Sequence, residues 1–159
     1  MSESEHMDDG GIAAVRPATP DDGPSILRMM EAFNVYEGIP WTRAGLEKSF
    51  ATLLAHPEWG GIFFAEVGGI PAGYAVYAYS FDFEFAGRDA FLCELFVTER
   101  HRQKRIGQTL LATVEAHVRA NDVRAVHLIV RGENATAQVL YRRNGFRFDP
   151  RLLMTKALE

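Results

Sequence analysis

Cysteine is almost missing from this chain, and the single Cys93 excludes an intrachain disulfide and any cysteine-based zinc pattern. Long apolar runs are missing too: none approaches the roughly 20 residues a membrane-spanning helix needs. The N-terminus has no basic region followed by an apolar stretch, so a secretory signal is not expected and a cytosolic location is. Excess positive charge is lacking. A net charge of −4 leaves no electrostatic footprint for nonspecific nucleic-acid binding. His101, His117 and His127 have no metal-ligand spacing, so no metal is expected and they read as structural or surface residues.

What remains is a composition 47% hydrophobic over 159 residues, enough for one core of ordinary size. Residues 1–11 (MSESEHMDDGG) are polar, acidic and glycine-ended, and are expected to form a disordered tail before a single domain over 12–159. A short strand is predicted at Ile12–Arg16. Thr19-Pro20-Asp21-Asp22 then signals a helix start, with the helix running to about Tyr36 and burying Ile26, Met30 and Phe33. Gly and Pro make Asn34–Trp41 a loop, and a second helix is predicted over Arg43–Ala55. Gly61–Val67 and Ile70–Tyr79 read as strands joined by Gly68-Gly69 in a two-residue hairpin turn. In Ser80–Phe85, aromatics alternate with Ser, Asp and Glu. Period two places Phe81, Phe83 and Phe85 on one face and the acidic groups on the other. That is an edge strand with a solvated acidic face, or a rim of negative charge that attracts a cationic amine.

From Phe91 to Leu111 the chain reads FLCELFVTERHRQKRIGQTLL. An apolar strand breaks at a polar, basic run and resumes as a helix on Ile106, Leu110, Leu111, Val114 and Val118. Such a connection is either an ordinary solvated turn or an anion site, since a helix start presents N–H groups at the positive end of its dipole. A strand over Arg124–Val130 follows. A helix begins at Asn134 as cap and ends just before Gly145, and a final strand pair starts at Phe146 and ends in LLMTKAL. No internal repeat or second domain is evident, and this order predicts an α/β layer architecture, a mixed sheet with helices on both faces.

Val97–Gly107, VTERHRQKRIG, resembles the acyl-CoA signature of the GNAT N-acyltransferase superfamily. Arg102 takes the first marked place and Gly107 the last, while Arg105 stands where the first glycine usually falls. An arginine there is expected to keep an ordinary helical conformation and to add a contact to the phosphates. Asn134, Ala137, Leu140-Tyr141 and Gly145-Phe146 match the family's other marker, about 30 residues on. The stretch before the signature is similar to spermidine/spermine and aminoglycoside acetyltransferase-like members, with Cys93 and Glu94 at the two positions that are acidic there. The resemblance implies the GNAT-like fold, a mostly antiparallel central sheet, and acetyl-CoA as acyl donor.

The resemblance further implies that the strand end Leu95, Phe96 and Val97 splays from the fifth strand and pairs with the pantetheine arm. The Phe96 N–H would be the oxyanion donor, a group worth about 3 kcal/mol of barrier. Arg102, Gln103, Lys104, Arg105, Ile106, Gly107, Gln108 and Thr109 would hold the diphosphate, with Asn134 and Tyr141 completing the donor site. Tyr141 is the family's match for the acid that protonates the leaving thiolate, or else a helix tyrosine anchoring the core. Glu94, ionisable and next to the splay, is the candidate base, or else a structural carboxylate paired with an arginine. On simple alternation it shares a face with Leu92 and Phe96, while Cys93 lies among Phe91, Leu95 and Val97 as a core residue. The connection between the first two helices, with Tyr36, Glu37 and Trp41, would wall the acceptor site, and Asp82 and Glu84 would draw the amine in; the aromatics equally read as a packed pair beside a solvated carboxylate. The expected function is N-acetyl transfer to a primary amine of a small cationic molecule in a ternary complex. Acetylation of a protein or peptide, and a non-catalytic acyl-CoA sensor, are the alternatives. The partner expected is a small amine, with no nucleic acid or membrane; the oligomeric state is left open between monomer and homodimer.

Overall fold

The computed structural model describes residues 13–158, so the expected tail over 1–11 lies outside the described residues. By contacts the chain divides into two compact units, one up to Ile129 and one from Val130. The first unit holds a five-stranded mixed sheet in the order β1-β2-β3-β4-β5. Its strands are β1 (Ala14–Pro17), β2 (Gly60–Val67), β3 (Ile70–Asp82), β4 (Gly87–Val97) and β5 (Val126–Leu128). The first four pair antiparallel and β5 joins β4 in parallel. Its helices are α1 (Gly23–Glu37), α2 (Arg43–Ala55) and α3 (Ile106–Ala120).

Opposite faces of the sheet carry different helices. Ile62, Phe64, Tyr74 and Val76 project into a core with Ile26, Leu27, Met29 and Met30 of α1 and Phe50 of α2. Residues of the other parity meet α3: the Phe63 and Tyr77 rings both lie 5.4 Å from the His117 ring. All five apolar positions read as the inner stripe of α3 are buried. Gly68 and Gly69 both have positive φ, as the two central residues of the hairpin turn require. Helix α2 has the predicted bounds and is capped by Thr42, whose Oγ1 accepts the Gly45 N–H at 3.1 Å.

Other expectations change. Helix α1 continues to Glu37, so the connection to α2 is shorter than the predicted loop. The alternation beyond Tyr79 stays a strand only to Asp82. Ser80, Phe81 and Asp82 extend β3 past its last β2 partner, Ala78, and pair on one side only, with Asp89, Arg88 and Gly87 of β4. Phe83–Ala86 form the turn, held by the Glu84 N–H on Asp82 Oδ1 at 2.8 Å, so Glu84 shares no strand face with Asp82.

The second unit contains α4 (Ala135–Arg143). Asn134 Oδ1 accepts the Ala137 N–H at 3.1 Å at its start. At its end the Phe146 N–H reaches Tyr141 O and the Gly145 N–H reaches Arg142 O, both 3.1 Å, with Gly145 at φ 88°. That is the Schellman arrangement, which needs the left-handed conformation glycine supplies. The final strand pair expected from Phe146 onward is not formed among the described residues, and β5 keeps only three of the seven residues predicted for it. Among the described residues no helix is long and apolar enough to cross a membrane.

One polar anchor ties β1 to the start of α1. Arg16 donates to both oxygens of buried Asp22 at 2.7 and 2.8 Å, and Thr19 donates to it through N–H and hydroxyl at 2.7 and 3.0 Å. The Arg16 bond, helped by Thr19, holds the Asp22 carboxyl down to about 2. A depressed carboxyl contributes its stability fully above its unfolded pKa and loses it as pH falls through the folded value. Asp22→Asn is therefore expected to cost about 1–2 kcal/mol at pH 7, discounted because Arg16 is part-exposed. Denaturant melts should show the difference shrinking below about pH 4 and gone only below about pH 2, under both pKa values.

Candidate functional site

The site begins with a register shift. Opposite Val76 and Tyr77 of β3, β4 presents Glu94 and Leu92, so Cys93 is an extra residue in a β-bulge. The bulge overturns simple alternation. Glu94 faces the α1–α2 side with Val76, and Phe96 joins it there against Tyr74, ring centroids 6.0 Å apart. Leu92 lies on the opposite, α3 side with Tyr77. Cys93 is exposed rather than core, because the bulged residue drops out of the pleat.

The same shift decides which backbone groups face where. Ala90 donates to Ala125 O at 3.0 Å, so its amide points at β5; Thr98 donates to Ala72 O at 2.9 Å, so its amide points at β3. Alternating back from Thr98, Phe96 directs its N–H toward β3, and Leu95 and Val97 direct theirs away. An oxyanion role for the Phe96 N–H is thereby corrected: that group is committed to the Tyr74 pairing. Pairing with β5 stops at Leu92–Leu128, so the outward groups of Leu95 and Val97 lie past the last β5 partner.

After β4 the chain makes a 3-10 turn at Glu99–His101 and enters α3. His101 is buried, with Nδ1 2.7 Å from Thr98 Oγ1, and Arg102 Nε donates to Val97 O at 3.3 Å. Gln103 and Arg105 both have φ 62°. Arg105, the N-cap residue of α3, is thus left-handed and not helical: it adopts the conformation for which a glycine is favoured. The N–H of Thr109 bonds Arg105 O at 3.0 Å, so those of Ile106, Gly107 and Gln108 precede the helix's own ladder and project from its positive end. The side chains of Arg102, Gln103, Lys104, Arg105 and Gln108 around this end are exposed. The segment suits a diphosphate: amides, a helix dipole and three cations converge on one turn.

On the α1–α2 side a cavity of about 560 Å³ reaches the sheet. Its walls are chiefly apolar, including Met30, Trp41, Leu46 and Phe50, and Glu94 is part of its lining. Tyr74 Oη donates to Glu94 Oε2 at 2.6 Å, from the diagonal position on the neighbouring strand. Burial pushes the Glu94 carboxyl up, partly offset by the Tyr74 bond. Burial also pushes the Tyr74 phenol up, reinforced by the adjacent Glu94 charge, so Tyr74 stays a donor. Glu94 is partnered by a tyrosine, not the arginine of its structural alternative. Tyr74 escaped sequence reasoning because it sits in an apolar strand and reads as core, which it also is. Asn34 and Ser49, polar members of the lining, were likewise passed over.

Trp41 lines this cavity, but Tyr36, Glu37, Asp82 and Glu84 are not among its lining residues. Tyr36 and Glu37 belong to the last turn of α1, and Asp82 and Glu84 to the β3–β4 hairpin end. In the second unit, Asn134 caps α4 and the Tyr141 ring packs on Phe146 with centroids 5.7 Å apart. His117 is held between Phe63 and Tyr77 on the α3 side, and His127 Nε2 lies 3.0 Å from Asp89 Oδ2.

A bulged strand that outruns its parallel neighbour and leads into a helix N-terminus is a geometry suited to an acyl-CoA, and comparison with known proteins gives the family. The model of the acetyltransferase (GNAT) family matches residues 26–146, and the chain belongs to that family. An integron cassette protein from the mobile metagenome of Cole Harbour Salt Marsh is 29% identical, with TM-score 0.81 over 91% of this chain and 90% of that one. A proposed acetyltransferase from Arthrobacter sp. FB24 is 28% identical, with TM-score 0.76 over 99% and 100%. An aminoglycoside N-acetyltransferase solved with CoA shares the fold at 18% identity, TM-score 0.80, over 94% and 97%. The comparison with curated proteins gave no match.

The left-handed Arg105 has a measurable consequence. Arg105→Gly removes the steric cost of that conformation, about 1 kcal/mol, against a loss of unfolded-chain restriction of similar size. The variant is expected to melt level with wild type or above it. A helical Arg105 would instead make the glycine destabilising by roughly 1 kcal/mol.

Proposed function

We propose that the chain is an N-acetyltransferase that moves the acetyl group of acetyl-CoA to the primary amine of a small cationic molecule in a ternary complex. The observation that carries this is the placement of Glu94: a half-buried carboxyl on a cavity wall, one residue from the outward amide of Leu95 and three from that of Val97. The family membership and the CoA complex of a relative with the same fold support the donor.

Each residue then has a task. The amides of Ile106, Gly107 and Gln108, with Arg102, Lys104 and Arg105, hold the diphosphate. Leu95 and Val97 take the pantetheine arm as a neighbouring strand, and one of their outward N–H groups stabilises the oxyanion. A free alkylamine has pKa about 10.4, so its proton must be removed at neutral pH. Glu94 accepts that proton; its raised pKa narrows the gap it must cross. The amine nitrogen bonds to the thioester carbon, the C–S bond breaks as Tyr141 gives its phenolic proton to the departing sulfur, and the second proton that the acylated nitrogen sheds returns through solvent to the tyrosinate. The assignment of Tyr141 rests on its place in the second family marker.

CoA is expected to raise the melting temperature of the wild-type protein, and Gly107→Glu to abolish the rise by placing bulk and like charge at the helix start. No shift with CoA well above micromolar concentration defeats the proposal. Tyr141→Phe is expected to lower turnover about 10²-fold or more with little change in CoA affinity, since the phenol acts only as the C–S bond breaks. A merely structural tyrosine would instead cost about 1 kcal/mol of stability and leave the rate within a few-fold, and that outcome removes Tyr141 from the mechanism.

A further inference from the structure

The acceptor cavity differs from what a multiply charged amine would need. Among its lining residues Glu94 is the one ionisable side chain. Asn34 and Ser49 add neutral polar groups, while Thr42 Oγ1 is already engaged as the cap of α2. Arg43, beside this wall at the start of α2, is bound by Glu31 at 2.7 Å and Glu47 at 2.8 Å, which fixes the α1–α2 gap and neutralises the local cation. Ile39 and Trp41, both large and apolar, are 47% and 39% exposed where they line the cavity. Apolar surface left open to water around a single carboxylate has a definite complement.

Resting on the acetyl-transfer reading of this site, we infer that the acceptor is a monoamine with an apolar body of aromatic size, bound with its ammonium at Glu94 and its body against Trp41, Leu46 and Leu53. The volume suits that choice, since about 560 Å³ lies within the usual range of small-ligand sites. Selectivity follows from desolvation. A second ammonium, or the hydroxyls of a sugar, would enter walls that offer them no charged partner, and a buried polar group without a partner is strongly disfavoured. An aryl or alkyl body instead removes exposed apolar surface from water on both sides of the contact. Acidic residues at the β3–β4 turn, Asp82 and Glu84, lie outside this lining and do not extend the recognition to a second cation.

The test is calorimetric titration of the full chain with 2-phenylethylamine and tryptamine against spermidine and kanamycin, with and without CoA. Thiol release from acetyl-CoA is then followed with the same four amines. The arylalkylamines are expected to bind at least about 30-fold more tightly than either polycation. Ser49 is exposed on α2, so Ser49→Trp, which fills the cavity, and Ser49→Arg, which adds a like charge, should both fold, as melting will check. Each is expected to weaken arylalkylamine binding about tenfold or more. Equal or tighter binding of spermidine or kanamycin overturns the inference. So does arylalkylamine binding that neither variant weakens, or none at millimolar concentration. Binding in the expected order without thiol release from any amine upholds the acceptor class and defeats acetyl transfer. Thiol release with spermidine or kanamycin at the higher kcat/KM upholds transfer and defeats the class.

Discussion

Opposite Val76 and Tyr77, β4 carries one residue more than β3, and that insertion sets the direction of every group that follows it to the strand's end. Before Cys93 the even-numbered amides of β4 point at β5; after it the odd-numbered ones do. The shift turns the Leu95 and Val97 amides into the gap where β5 has ended, and it turns the Glu94 side chain onto the face shared with Val76 and Phe96. Were Cys93 instead paired with Val76 in a regular ladder, both would change together. Glu94 would go to the α3 side with Tyr77, away from the cavity and from the Tyr74 hydroxyl, and an unpaired carboxylate buried there is heavily penalised. The outward amides would become those of Glu94 and Phe96. A bulge costs one residue its ladder bonds and leaves Cys93 exposed. In exchange the backbone groups and the side chain that the proposed chemistry needs lie on adjacent residues, one in the sheet plane and one on its face.

The turn into α3 shows a second local cost accepted for geometry. Two non-glycine residues, Gln103 and Arg105, sit at φ 62°, a conformation that costs each about 1 kcal/mol. Such strain persists only where the surroundings over-determine it. Here buried His101 bonds Thr98, Thr98 bonds back to Ala72 of β3, and buried Ile106 locks the first turn of α3 to the core. Between those fixed points the backbone has little choice of path. The path it takes aims the first amides of α3 outward among three cations. Arginine in a position suited to glycine therefore keeps the backbone course and adds a charge to it.

Much of this was legible in the sequence, and the failures have a common cause. Helix α2 was legible from Pro57 just beyond its end, the β2–β3 hairpin from two glycines, and α3 from five apolar residues at helical spacing. Each is a local signal that residue type or period expresses directly. The bulge is not local in that sense: FLCELFV is apolar nearly throughout, so one inserted residue leaves no trace in its period. Arg105 misled because side-chain identity argues for a helical conformation, and the ends of the turn overrule it. Ser80–Phe85 alternated well enough for one continuous strand, but Asp82 closes a turn on the Glu84 N–H. The residues after Phe146 alternate only as far as Asp149, and Leu152, Leu153 and Met154 are left largely exposed. Alternation states a tendency to extend; it does not supply a ladder partner.

Glu94 is where these constraints meet, and two opposed forces act on it. The apolar cavity disfavours its charge, while the Tyr74 phenol, buried and unable to ionise, donates to Oε2 and stabilises that charge. A carboxylate alone in such walls would remain protonated and be a poor base. One bound only by cations would be too strongly ionised to hold a proton when it received one. A neutral donor on one oxygen lies between these limits, and in the proposed reaction it leaves Oε1 for the arriving ammonium. The incoming charge favours the ionised carboxylate, so binding prepares the base. Once the proton has moved, both partners are neutral, and the apolar cavity that resisted separate charges now favours the uncharged amine, whose lone pair can attack. The walls inferred to select an apolar acceptor would thus also help to release its nitrogen in the proposed reaction.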